Sequence, residues 1–309
     1  MHRRVARFAL WATNLEPPLA SLADWTARVE ARMAEAHAAG AALLVMPEFA
    51  CAQWLSFAPV GLAPDRQVPW LAEMAQHALA GLRPLSARYG VALLPGSMPY
   101  AVSEGGNGAP GHLNRAWLLL PDGATFHQDK IALTPSERNP AGWLLTPGTQ
   151  VNLIAWLGLR VAIVICLDIE FTALFARLAR LDLDLILVPA KVDLLSGYYR
   201  VLGCAKARAI ELQCAVAVVG AIGSPLGQPA LDTVVGAAAV FIPCEANLNV
   251  TGVVAALEPL LATTGASPML YAHQVPLGAC RRIRHGAAEA EVWPGSWSAD
   301  HITIADPAT

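Results

Sequence analysis

Short, unbroken apolar runs alternate along the chain with stretches whose apolar residues recur every three or four positions, the pattern of buried strands and the helices that cover them. Residues 5–12, 42–46 and 91–98 read as strands. Between the first two, Ser21 is placed to cap a helix with Asp24 three residues on, and that helix should run to about Ala38 and stop at Gly40. A second helical region covers residues 69–89, with a break expected before Pro84. A polar, Gly-rich stretch at 103–112 reads as a mobile loop, and 116–120 with 125–127 as a hairpin turned at Pro121-Asp122-Gly123.

In the second half, residues 161–165 form an apolar strand that ends in Cys166. Phe171, Leu174, Phe175 and Leu178 then recur at helical spacing, so 169–181 reads as a helix. Residues 183–188 and 214–221 read as strands flanking a helix at 198–213, and 234–242 with 250–257 as a hairpin. From Gly265 the pattern weakens, and Trp293 and Trp297 suggest an extended tail packed on a neighbour. The division expected is a domain over residues 1–264 and a C-terminal extension over 265–309, lying on that domain or on a partner subunit.

Composition narrows the classes. With 55% hydrophobic and only 15% charged residues, the chain has a large core and apolar surface to spare for a homo-oligomer. Its uncharged stretches are broken by Pro, Gly and polar residues, which argues against a membrane span. A net charge of −3, with no basic cluster beyond Arg281, Arg282 and Arg284, argues against a nucleic-acid partner, and that short run reads as solvated surface. Six scattered cysteines show neither a C-x-x-C pair nor metal-ligand spacing, which fits a reducing cytoplasm and a protein without metal or cofactor.

Candidate chemistry sits where apolar runs end. Cys166, between strand and helix, reads either as a nucleophile favoured as a thiolate by backbone N–H groups and a helix dipole, or as a buried core cysteine. Glu48 stands past the strand 42–46, at the sheet end where ligands bind, although a solvated loop acid fits that position too. Lys130 follows the hairpin, and Glu137 lies in a proline-punctuated stretch behind it. A Cys/His scheme would draw on His112 or His127, but no local signature of that class surrounds Cys166.

Taken together, Val-Met-Pro-Glu48-Phe, His-Gln-Asp-Lys130-Ile-Ala-Leu and Val-Ile-Cys166-Leu-Asp resemble the nitrilase, or carbon-nitrogen hydrolase, superfamily. Pro147-Gly148, Glu137 and Ala-Arg-Ala-Ile-Glu at 207–211 extend the resemblance, in the family's order, over about residues 5–257. It implies an α/β fold, a four-layer α-β-β-α sandwich that dimerises by pairing helices. It also implies roles: Glu48 as base and acid, Cys166 as nucleophile, and Lys130 with the Leu167 backbone N–H as the oxyanion site. Glu137 would orient Lys130 or the substrate.

The implied reaction is hydrolysis of a small amide or carbamoyl compound through a cysteine thioester. Cys166-Leu167-Asp168 resembles the amidase branch more than true nitrilases; nitrile hydrolysis, acyl transfer and a non-catalytic scaffold stay open as alternatives. Thr172-Ala173, Leu212, Gly220 and Gly236-Ala237-Ala238 depart from the family pattern, which weakens the substrate assignment more than the reaction class. Glu170 stands four residues after the cysteine, where relatives acting on carboxylate-bearing substrates often carry arginine. It reads either as a pocket residue disfavouring anions or as a solvated first-turn glutamate.

Overall fold

The apolar runs become two stacked sheets in the computed structural model, which describes residues 5–103, 110–224, 235–261 and 265–303. The first half of the chain supplies β1 (Ala6–Trp11), β2 (Leu43–Val45), β3 (Ala92–Leu94), β4 (Ser97–Val102), β5 (Gly111–Leu119) and β6 (Thr125–Asp129). The second supplies β7 (Ile154–Trp156), β8 (Leu159–Ile163), β9 (Leu185–Ala190), β10 (Ala215–Gly220), β11 (Ala238–Phe241) and β12 (Val253–Ala256), after which β13 (Met269–Val275) returns to pair with β1. The strand orders are β13-β1-β2-β3-β5-β4, with β6 on β5, and β12-β11-β10-β9-β8-β7. Each sheet has a parallel centre, β1-β2-β3 in one and β8-β9-β10 in the other.

Alternation along the central strands explains the layering. Phe8, Leu10, Leu43, Val45 and Leu94 share one core with Val161, Ile163 and Leu187 of the second sheet. Their neighbours Ala9, Leu44 and Leu93 turn outward, where α1 (Leu22–Ala38) and α2 (Pro64–Tyr89) bury Trp25, Val29, Met33, Leu71 and Leu82. Across the second sheet, α3 (Thr172–Leu178) and α4 (Leu195–Glu211) bury Phe175, Leu178, Val201 and Ala205. Each fully buried large side chain contributes on the order of 1.5–3 kcal/mol. The result is the expected α-β-β-α sandwich of the α/β class. Among the described residues, no helix is long and apolar enough to cross a membrane.

Several expectations change. Ser21 caps α1 as foreseen, accepting from Asp24 N at 3.2 Å. The break before Pro84 is absent: α2 runs through both Pro69 and Pro84, and its face of Leu79, Leu82 and Leu85 buried on the first sheet offsets the lost backbone bonds. The single strand foreseen over 91–98 divides at Gly96, whose φ is +81° and whose Cβ position would lie 2.0 Å from Pro47 O. Only glycine fits there, and it lets the Glu48 loop pack against β3 and β4. The helix foreseen at 169–181 shrinks to α3 behind a 3-10 turn, Cys166–Glu170.

Most of the loop foreseen at 103–112, and Val234 of the later hairpin, fall outside the described residues. The weak pattern after Gly265 concealed β13. The basic run is not all solvated surface, because Arg284 is buried and bonds Asp182 Oδ1 at 2.6 Å and Asp184 Oδ1 at 2.8 Å. Arg281 also pairs with Asp184, and Gln213 Nε2 donates to Val292 O at 2.7 Å.

Candidate active site

Four chain segments leave the carboxyl ends of strands to form the site, three of them from the parallel centres of the two sheets and one from β6, which pairs antiparallel with β5. Glu48 follows β2, Lys130 follows β6, Cys166 follows β8 and Lys191 follows β9. Two of these exits are sharp. Cys166 has φ +48° and Phe49, next to Glu48, has φ +51°, left-handed values that cost a non-glycine residue about 1–3 kcal/mol. Elsewhere in the fold these turns are braced: Arg208 of the Ala-Arg-Ala-Ile-Glu segment reaches from α4 to Ile169 O and Thr172 Oγ1, and Asp168 accepts from Ala132 N at 2.6 Å and Ile131 N at 3.2 Å. Gly148 packs so closely that an added Cβ would lie 2.8 Å from Asp129 Cβ, and its N–H donates to Lys130 O at 2.7 Å.

Glu48, Lys130, Glu137 and Cys166 are all buried and brought together. Lys130 Nζ donates to Glu48 Oε1 at 2.8 Å and to Glu137 Oε2 at 2.7 Å. Asn114 Nδ2 donates to the same two carboxylates, at 2.9 Å to Glu48 Oε1 and 3.0 Å to Glu137 Oε1. Glu137 Oε2 also accepts from the Thr134 N–H at 2.8 Å and hydroxyl at 3.0 Å. The Lys191 peptide links the Glu48 carboxyl to the Cys166 thiol: its N–H donates to Glu48 Oε2 at 2.9 Å, and its carbonyl accepts from Cys166 Sγ at 3.4 Å.

Burial dominates the electrostatics. It pushes the Glu48 carboxyl up, and the Glu137 charge adds to this while Lys130 opposes it. Burial also works against the Lys130 ammonium, but the neighbouring Glu48 and Glu137 carboxylates outweigh it and raise the amine above its ordinary value. The Cys166 thiol is raised by burial and by the neighbouring Glu48 carboxylate. Burial thus works against a thiolate at this position. Cys166 opens a short 3-10 turn, and α3 starts only at Thr172.

Two adjoining cavities reach this cluster. The larger, about 470 Å³, touches Glu48, Lys130 and Glu137 and has a wall of Phe49, Leu55 and Trp143. Phe49 and Trp143 meet edge to face at 4.9 Å, and Gln67 Oε1 accepts from Trp143 Nε1 at 3.0 Å. The smaller, about 220 Å³, touches Cys166, Leu167 and Glu170. Thr134, Lys191 and Asp193 line both. Glu170 does face the smaller cavity, but its charge is met by Arg200 Nε at 2.8 Å.

Sequence reading missed Asn114, Thr134, the Lys191 peptide and the bracing role of Asp168. A signal existed for the first: an amide inside an apolar strand, at a position with no exposure. None existed for Lys191, because any residue but proline supplies the same N–H and carbonyl.

Comparison with known proteins bears on the family and the fold. A probable hydrolase, YhcX, of Bacillus subtilis (strain 168) is 28% identical over 239 residues, 77% of this chain and 45% of that protein. An (R)-stereoselective amidase of a Pseudomonas species is 30% identical over 112 residues, 36% of this chain and 39% of that protein. The chain thus matches less than half the length of either relative. Among solved structures, an amidase from Nesterenkonia sp. AN1, as a cysteine-to-alanine mutant in complex with butyramide, superposes with a TM-score of 0.63 at 23% identity, covering 92% of this chain and 96% of that one. Another mutant of the same amidase carries the acetamide moiety of fluoroacetamide covalently at its active site cysteine, with a TM-score of 0.63, 22% identity and coverage of 92% and 96%. The sequence model of the carbon-nitrogen hydrolases matches residues 12–257, from just after β1 through β12, and the chain belongs to the carbon-nitrogen hydrolase family.

Proposed function

We propose that this protein hydrolyses the C–N bond of a small amide through a thioester on Cys166, releasing ammonia or an amine. The observation that carries the reading is the Glu48 carboxyl, buried, joined by one peptide to the Cys166 thiol and fixed by Lys130 at 2.8 Å. Both Glu48 and Cys166 are raised, so a neutral thiol faces a strengthened base, and proton transfer accompanies attack instead of preceding it.

Each step assigns a place to the proton. Glu48 Oε1 already accepts from Lys130 and Asn114, whereas Oε2 accepts from Lys191 N, whose carbonyl holds the thiol, so Oε2 takes the thiol proton as sulfur bonds to the carbonyl carbon. Two Lys130 hydrogens are held by Glu48 and Glu137; the third, with the Leu167 N–H, holds the oxyanion. Collapse breaks the C–N bond, and Glu48 returns its proton to the departing nitrogen. Water then attacks the thioester, giving a proton to Glu48, and the C–S bond breaks as that proton goes back to sulfur. Glu137 keeps the Lys130 ammonium aimed.

The butyramide bound by the Nesterenkonia amidase supports a neutral amide as substrate, and the wall of Phe49, Leu55 and Trp143 suits an apolar acyl group. The test is ammonia release from a panel of small amides, carbamoyl compounds and nitriles. Amides should lead. Turnover confined to nitriles, or to none of the panel, would overturn the reading.

A further inference from the structure

We infer that Asn114 is a positioning residue that sets the basicity of Glu48, an inference resting on the Glu48–Cys166 mechanism proposed above. Asn114 has no exposed surface, and its side-chain amide faces two carboxylates at once, Glu48 Oε1 at 2.9 Å and Glu137 Oε1 at 3.0 Å. A carboxylate only accepts, so the NH₂ end must face the pair. Among the described residues its Oδ1 accepts no hydrogen bond, so the two carboxylates are what orient the amide. The Asn114 backbone joins the same cluster, because its carbonyl accepts from Lys130 N at 2.9 Å. One residue of β5 thus holds base, ammonium and second glutamate in register.

Two consequences follow from hydrogen-bond chemistry. Filling Glu48 Oε1 directs the thiol proton to Oε2, the oxygen anchored beside Cys166 by Lys191 N. Donating to ionised Glu48 also lowers its affinity for protons, opposing the rise that burial imposes. Without the donor, Glu48 stays protonated to higher pH and is lost as a base there.

The test is the pH dependence of Cys166 alkylation by iodoacetamide, followed by mass spectrometry of its peptide, in wild type, Asn114→Leu and Asn114→Asp. Wild type should react faster at Cys166 than at the other five cysteines, with an acid limb set by Glu48. Asn114→Leu should move that limb to higher pH and lower the plateau about tenfold. Asn114→Asp keeps the shape, so it guards against misfolding of the first variant, and should move the limb in the same direction. A folded Asn114→Asp protein with the wild-type limb would overturn the positioning role alone. A wild-type Cys166 no faster than the other cysteines would overturn the nucleophile reading and this inference with it.

Discussion

Lys191 donates its backbone N–H to Glu48 Oε2 at 2.9 Å, with its carbonyl accepting from the Cys166 thiol. The peptide at the end of β9 therefore fixes the Glu48 carboxyl and the Cys166 thiol relative to each other without any side-chain chemistry of its own. The Lys191 ammonium points elsewhere, to Asp193 at 3.1 Å.

Lys130 stands between two buried carboxylates, so replacing it uncovers both. Lys130→Met should lower stability by roughly 3–5 kcal/mol, the scale of leaving half of a buried ion pair. It should also lower kcat by about 10² or more, the scale of losing one oxyanion donor. Denaturant unfolding and initial-rate kinetics measure the two separately. A rise in KM with kcat unchanged would make Lys130 a substrate binder instead.

Asp168 yields a pH signature in stability. Burial raises its carboxyl to about 6 from an ordinary 3.8, against the N–H groups of Ala132 and Ile131 that favour the charged form. A folded carboxyl with a raised pKa contributes stability that is full below the unfolded value and is lost as pH rises through the folded one. The unfolding free energy of wild type relative to Asp168→Asn should therefore fall by about 2 kcal/mol between pH 4 and pH 7. Urea titrations at those two pH values measure it, and a difference that rises with pH would contradict the assignment.

Legibility of the sequence followed how far each feature depends on local pattern. Glu48, Lys130 and Cys166 could be read because each ends or follows an apolar or hairpin segment, and the fold brings those ends together. Asn114 showed only as an amide inside an apolar strand, because its place beside Lys130 arises from β5 pairing with β6. The strand β7 spans three residues, too short to show a period, and β13 mixes His273 and Gln274 with apolar residues because part of it faces outward. Continuity of α2 through Pro84 came from tertiary burial overriding a local breaker. The partner of Glu170 lay thirty residues away on α4, beyond any spacing argument.

That partner sharpens the expectation on substrate charge. Wild type should favour neutral or amine-bearing amides over carboxylate-bearing ones in kcat/KM. Glu170→Gln releases Arg200 beside the Cys166 cavity and should improve the carboxylate-bearing amides roughly fivefold relative to neutral ones, the scale of one partly exposed ion pair. Arg200→Met should shift the ratio the other way. A wild-type preference for carboxylate-bearing amides, or variants that leave the ratio unmoved, would remove Glu170 from substrate selection.

The central claim is a covalent acyl group on Cys166, and the most direct measurement is mass spectrometry of the acid-quenched enzyme during turnover of a small amide. Wild type should carry the mass of the acyl group on the Cys166 peptide. Cys166→Ala should carry none, remain folded and lose activity by about 10³-fold or more, since it removes the nucleophile but only a small side chain. Near wild-type turnover by Cys166→Ala, with no acyl group trapped on the wild-type peptide, would contradict the account.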